Sequence, residues 1–99
     1  MSSESLHEQS LSPQCLDRHR AIVSLMEELE AVDWYDQRVE ACTDDSLREI
    51  LAHNRDEEKE HAAMLIEWLR RNDDAFADEL KTYLFTSGSI LDAEEEATS

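Results

Sequence analysis

Helix-breaking residues are almost absent from this sequence, which holds a single glycine and a single proline. Gly and Pro mark most turns and bulges, so long stretches of the chain are free to stay helical. No strand pattern, internal repeat or linker between domains is visible along the sequence. The scarcity of breakers therefore favours long helices over a fold with many short elements.

Cysteine is also scarce, with Cys15 and Cys42 alone in the chain. They form neither a C-x-x-C pair nor a cluster with histidines, which argues against a thiolate metal site. The favoured interpretation is that both cysteines are reduced thiols in the cytosol, and a disulfide between them is the alternative. Long apolar runs are missing, so neither a signal peptide nor a membrane span is predicted. We expect a cytoplasmic protein without a membrane partner.

Basic residues are few: 9 Lys and Arg stand against 25 Asp and Glu, a formal net charge of -16. A chain so negative repels phosphate backbones and anionic lipids, so nucleic acid is not an expected partner. The charge suits cations. Solubility alone is an equally ordinary reason for an acidic surface.

Three segments are predicted. Residues 1–12 are Ser-rich and polar and are expected to form a disordered tail, and residues 87–99 an acidic mobile tail. Residues 13–86 remain as the folded domain. Roughly 75 residues give a marginal core when alone, and oligomerisation is a common remedy.

The domain is predicted to be all-α. Ser12 and Pro13 form a helix start, and nothing breaks the helix before about residue 42. A polar link of residues 43–45 precedes a second helix over about 46–72, and a short third helix follows to about residue 85. The short link predicts an antiparallel hairpin. The apolar stripe of the first helix is Ile22, Leu25, Met26, Leu29, Val32 and Val39.

Two polar residues interrupt the apolar stripe of the second helix. Glu58 and His61 share one face with Leu51 and Leu65, where apolar side chains are expected. A carboxylate buried without a partner is costly, so a compensating group is needed. The spacing lets both side chains reach one point, and Glu28 flanks the stripe of the first helix. A bound cation is one explanation, and a hydrogen-bonded His–Glu pair is the other.

This arrangement supplies half of a known metal site. Four-helix di-iron sites use a Glu from each of two helices and a Glu-x-x-His from each of two others. Two copies of this chain would supply the whole set and complete a ferritin-like four-helix bundle by dimerisation. One imidazole with bridging carboxylates and no thiolate suits Fe or Mn, with Zn as a competitor.

The sequence closely resembles the encapsulated ferritins over about residues 16–90. Four runs carry the resemblance: RHRAIV (18–23), MEELEAVDWY (26–35), HNRDEEKEHA (53–62) and TYLFT (82–86). It implies a ferroxidase with an iron pair at each dimer interface. It also implies dimers that assemble into a ring-like decamer, held as cargo inside an encapsulin nanocompartment where iron is mineralised.

The resemblance also implies roles for particular residues. Glu28, Glu58 and His61 match the ligands of the di-iron centre, and Tyr35 matches a catalytic tyrosine close to the metal pair. Two further metal-related groups are implied: an acidic uptake face of Glu27, Glu30 and Trp34, and a surface trio of His53, Glu57 and Glu60. Helical spacing independently places the members of each group on one side of a helix.

Alternatives from other classes stay open. A non-catalytic helical module that buffers metal would use the same ligands, and a helical adaptor would use the acidic face to bind a basic partner. Relatives in the resembled family carry a C-terminal peptide that docks to the encapsulin shell. The acidic residues 92–99 do not match such a peptide.

Overall fold

The computed structural model describes residues 6–98. Within that range the chain forms helices and no strand, so the all-α prediction is confirmed. None of the described helices is both long and apolar enough to cross a membrane. The helices are α1 (Pro13–Ala41), α2 (Asp45–Asn72), α3 (Asp74–Tyr83) and α4 (Ile90–Thr98).

Helix α1 begins where the sequence predicted it. The Ser12 hydroxyl accepts a hydrogen bond from the Cys15 backbone N–H at 3.1 Å, and Pro13 occupies the first turn. The helix ends when the Cys42 N–H donates to the Arg38 carbonyl at 2.9 Å. Twenty-nine residues are thus helical without interruption, since nothing between the two caps breaks the hydrogen-bond ladder.

The link between α1 and α2 is held by its own side chains. The Asp44 carboxylate accepts from the Leu47 N–H at 2.8 Å and the Ser46 hydroxyl at 3.1 Å. These hydrogen bonds, the Leu47 N–H first, lower the pKa of Asp44. The Arg48 guanidinium donates twice to the Cys42 carbonyl. The turn therefore satisfies backbone groups that the helix ends leave unpaired.

The two long helices run antiparallel. The Arg55 guanidinium on α2 binds the Asp36 carboxylate on α1 at 3.0 Å, and His61 lies 3.5 Å from Glu28. Residue numbers fall along α1 as they rise along α2, so the predicted hairpin is confirmed. These contacts set the register that brings the polar residues of the two helices together.

Few side chains are buried in the single chain: Ala21, Ala62 and Leu69 among the residues described. The predicted apolar stripe of α1 is wider than the side that α2 covers, since Ile22, Met26 and Leu29 are exposed. Leu47, Ile50 and Met64 are exposed on α2 as well, so both helices present uncovered apolar surface.

From Trp68 onward the chain forms a second compact unit. Helix α3 is capped by the Asp73 carboxylate, which accepts from the Phe76 N–H at 3.0 Å. It ends at Tyr83, two residues before the predicted end. Phe85 then adopts a φ of 63°, a left-handed conformation that leaves the helix.

Residues 87–99, expected to form an acidic mobile tail, contain helix α4 over Ile90–Thr98. The Ser89 hydroxyl accepts from the Asp92 N–H at 3.4 Å, and Ala and Glu fill the following turns as good helix formers. Residues 1–5 of the predicted N-terminal tail lie outside the described residues. Residues 6–12 contain no helix.

Candidate metal centre

Glu28 of α1 and Glu58 and His61 of α2 converge on one point. One ligand atom from each lies within 4.8 Å of the others. The Nδ1 atom of His61 lies 3.5 Å from Oε2 of Glu28 and 3.5 Å from Oε2 of Glu58. Within residues 6–98 it is the one such group of three or more His, Cys, Asp or Glu side chains. We call these three residues the central trio.

Local geometry explains the convergence. Glu58 and His61 are three residues apart, so they project from adjacent positions on α2. The antiparallel register brings Glu28 across from them. The Glu28 and Glu58 side chains are 26% and 24% exposed, and His61 is 43% exposed. About three-quarters of each carboxylate side chain is therefore buried, whereas His61 is nearly half exposed.

The two carboxylates perturb each other. The pKa of Glu28 is raised, first by a hydrogen bond with Glu58, then by partial burial and by repulsion from the Glu58 charge. The nearby His61 opposes this rise. Burial would lower the pKa of His61, but hydrogen bonds and charge attraction from Glu58 and Glu28 outweigh it and raise that pKa. Repulsion between the two carboxylates therefore favours the protonated form of Glu28 more than in an isolated glutamate.

The donor set fits a hard to borderline divalent cation. Two carboxylates and one imidazole, without thiolate, are the ligand types that suit iron, manganese and zinc. A divalent cation at this point would neutralise both carboxylates. Three donors from one chain also leave coordination positions open.

Tyr35 and Trp34 lie together under one arginine. The Arg38 guanidinium carbon is 5.5 Å from the centroid of the Tyr35 ring and 5.6 Å from that of the Trp34 ring. Tyr35 is half-buried, whereas Glu27 and Glu30 are exposed. Glu27, Glu30 and Trp34 thus lie on a solvated side of α1.

The surface trio is only partly assembled. The Nε2 atom of His53 lies 3.4 Å from Oε1 of Glu57, and both side chains are largely exposed. Glu60 does not join them within the distance that defines the central trio. All three lie on α2 with no donor from α1, so the pair remains an ordinary helix-surface contact.

Sequence reasoning missed two features around the centre. Arg38 follows Trp34 and Tyr35 by four and three residues, the spacing at which helical side chains meet, and that spacing could have revealed it. The Arg55–Asp36 ion pair joins residues 19 apart in the chain. Its detection required the hairpin register, which short-range spacing does not supply.

An antiparallel helical hairpin carrying one Glu on one helix and a Glu-x-x-His on the other defines a ferritin-like class of helical proteins. The chain belongs to the EncFtn-like family, whose profile matches residues 4–87. It is 64% identical over 100 residues to the Encapsulated ferritin-like protein of Rhodospirillum rubrum, covering 99% of this chain and 71% of that relative.

Two further similarities agree with the family. The Ferritin-like protein of Thermotoga maritima is 58% identical over 79 residues, which is 80% of this chain and 69% of the relative. A crystal structure of a protein from Nitrosomonas europaea matches with a TM-score of 0.80 at 68% identity. That match covers 83% of this chain and 90% of the other.

Proposed function

We propose that the chain is a ferroxidase that oxidises Fe(II) to Fe(III), with dioxygen as oxidant, at a di-iron site formed between two chains. The observation that carries the proposal is the central trio, with ligand atoms within 4.8 Å of one another. Membership of a ferritin-like family supports iron as the metal.

The need for two chains follows from counting ligands. One chain offers one Glu and one Glu-x-x-His, whereas di-iron carboxylate sites use two of each. A second copy related by a two-fold axis supplies the other set. Exposed Ile50 and Met64 on α2 are apolar surface that such pairing can cover. Exposed Ile22 and Met26 on α1 leave further apolar surface for contacts between dimers. The proposed assembly is the ring-like homodecamer that the family resemblance implies.

Each residue has a distinct part in this proposal. Glu28 and Glu58 neutralise the charge of two iron ions, and His61 anchors one iron per chain. Iron binding requires the deprotonated forms of both carboxylates, so we expect it to weaken as the pH falls. Tyr35 lies on the face of α1 that carries Glu28, seven residues away. Glu27, Glu30 and Trp34 attract Fe(II) from solution, since negative charge raises the local concentration of cations.

The surface trio is proposed to bind metal ions only weakly. His53 and Glu57 form a solvent-exposed pair, and Glu60 stands apart from them. We expect metal ions to bind there weakly and exchange quickly, because no facing helix supplies further ligands.

The ferric product must be enclosed to stay in solution. A hairpin with two short helices is much less than the four-helix subunit of a closed ferritin shell, so the isolated protein is expected to precipitate ferric iron rather than store it. The name of the Rhodospirillum rubrum relative supports an encapsulin shell as partner. The proposed location is therefore the lumen of an encapsulin nanocompartment in the cytoplasm. Soluble ferric cores of thousands of ions in the isolated protein would contradict this division of labour.

The test of the enzyme is anaerobic loading with Fe(II) followed by air. The ferric absorbance and oxygen consumption should rise together in the native protein and in Glu49→Ala, which removes an exposed acid from α2. Both signals should be lost in Glu58→Ala. Iron binding without oxygen consumption would instead establish a metal-buffering module.

A further inference from the structure

Arg38 binds aromatic rings rather than acids. Its guanidinium carbon lies 5.6 Å from the Trp34 ring centroid and 5.5 Å from the Tyr35 ring centroid. The chain has 25 acidic residues, yet no carboxylate within the described range lies at ion-pair distance from Arg38. A cation held against two ring faces in so acidic a chain points to a role in the chemistry of the rings.

The position of these rings exposes them to oxidants. Trp34 is 51% exposed and belongs to the acidic uptake face, where Fe(II) is expected to gather. Tyr35 lies seven residues from Glu28 and shares its face. Fe(II) and hydrogen peroxide together generate hydroxyl radical, a one-electron oxidant. An indole beside an iron-oxidising site is therefore a target for damage.

We infer that Arg38 protects Trp34 from one-electron oxidation. When the indole loses an electron to hydroxyl radical, the ring becomes a radical cation and the oxidant becomes hydroxide. The fixed guanidinium charge repels the positive ring, so removal of the electron becomes less favourable and slower. The inference rests on the proposed function for its purpose, but its physical basis needs no iron.

Trp68 serves as an internal reference for the oxidation of Trp34. Trp34 and Trp68 are the chain's two tryptophans, and the Arg38 guanidinium lies over the Trp34 ring. Trp68 is less exposed than Trp34, at 37% against 51%. Accessibility alone therefore makes Trp34 the faster to react, whereas protection by Arg38 opposes that order.

The experiment uses metal-free protein and the azide radical, made by pulse radiolysis of azide solutions. This neutral radical takes one electron from indole and becomes azide anion, so the protein's negative charge does not steer it. Peptide mass spectrometry after graded doses measures the loss of each unmodified tryptophan. Neither iron nor dioxygen reduction is involved, so a failure here is distinguishable from a failure of the ferroxidase proposal.

Arg38→Met keeps an unbranched side chain but removes its charge, and Arg38→Gln is a second neutral variant. A unit charge at this distance in a partly exposed setting shifts the electron-transfer equilibrium about three- to tenfold. Both variants should therefore raise the Trp34 oxidation rate by up to that factor. The Trp68 rate should stay unchanged, which also reports an intact fold. Arg38→Lys keeps a cation and should retain most of the protection. Equal Trp34 rates in all four proteins would overturn the inference, as would a Lys variant that behaves like Met.

Discussion

The central trio and the surface trio contain the same residue types, two glutamates and a histidine. They differ in the number of helices that supply the side chains, in burial and in electrostatics. The central trio draws on two helices, its carboxylates are about three-quarters buried, and the pKa of Glu28 is raised. The surface trio lies on one helix, with His53 at 70% and Glu57 at 47% exposure. One gathers three donors and the other forms a single pair.

The difference comes from the facing helix. Side chains on one helix diverge from its axis, so a third donor rarely reaches the point where two others meet. A donor from the opposite helix can reach that point directly, and the helix that carries the donor also excludes water. The carboxylates that face each other then need a compensating positive charge, which a divalent cation supplies.

Removal of a donor from the central trio should cause the largest loss. Glu28→Ala, Glu58→Ala and His61→Ala each delete a proposed iron ligand twice per dimer. Since loss of a residue that merely orients a ligand commonly costs about 10- to 100-fold, loss of the ligand should lower the oxidation rate at least about 100-fold. Stopped-flow measurement of the ferric absorbance gives the rate, with Glu49→Ala as control. A variant that keeps more than half of the native rate would show that iron is oxidised elsewhere.

Neutralising the acidic uptake face should slow delivery while leaving the centre intact. Glu27→Ala and Glu30→Ala are expected to lower the rate about three- to tenfold at low salt, with unchanged iron per dimer, since local negative charge accelerates the arrival of cations. The difference should shrink as ionic strength rises and screens the charge. A loss as large as that of Glu58→Ala would place these residues at the centre instead.

The repulsion between the carboxylates should be measurable in metal-free protein. The folded-state pKa of Glu28 is raised, so its stabilising contribution is complete at acidic pH and is lost as pH rises through that pKa. Glu28→Gln should then raise the melting temperature at pH 7 by about 1–3 °C, as like-charge neighbours cost about 0.2–0.5 kcal/mol.

That gain should vanish at pH 4, where the native carboxyl carries a proton. Calorimetry at the two pH values gives the comparison, and Glu57→Gln, which removes an acid from the surface trio, serves as the matched control. A variant less stable than the native protein at both pH values would mean that the Glu28 carboxylate stabilises the metal-free fold.

The smallest effect is expected from the surface trio. His53→Ala, Glu57→Ala and Glu60→Ala should each change the oxidation rate less than about twofold, because exposed pairs contribute little binding free energy. Fe(II) titration by calorimetry should show the same high-affinity stoichiometry in these variants as in the native protein. A lost binding step would reveal a built site where the geometry shows only a contact.

Much of the hairpin and its centre was predictable from the sequence. Ser12 and Pro13 fixed the start of α1, the polar residues 43–45 fixed the turn, and an i, i+3 pair within an apolar stripe singled out Glu58 and His61. These signals are local, and local hydrogen bonding and helical periodicity decide them. The structure also brought Glu28 to the same point, as antiparallel pairing requires.

The features that were missed depend on longer-range packing. Periodicity placed Ile22 and Met26 in the apolar stripe of α1 but did not show that α2 leaves them exposed. The width of the contact between α1 and α2 depends on the side chains of both helices. Helix α4 was read as a tail, since its charged sequence hides a capped run of good helix formers after Ser89. The Arg55–Asp36 pair needed the register of the folded hairpin.

Native mass spectrometry of the protein with and without Fe(II), under anaerobic conditions, tests whether the iron site forms between two chains. If the iron ligands meet only between two chains, metal-binding free energy becomes association free energy. Loaded protein should shift to species that contain two chains and two iron ions, or multiples of that unit. The shift should be absent in Glu58→Ala. A monomer that binds two iron ions by itself would contradict the account.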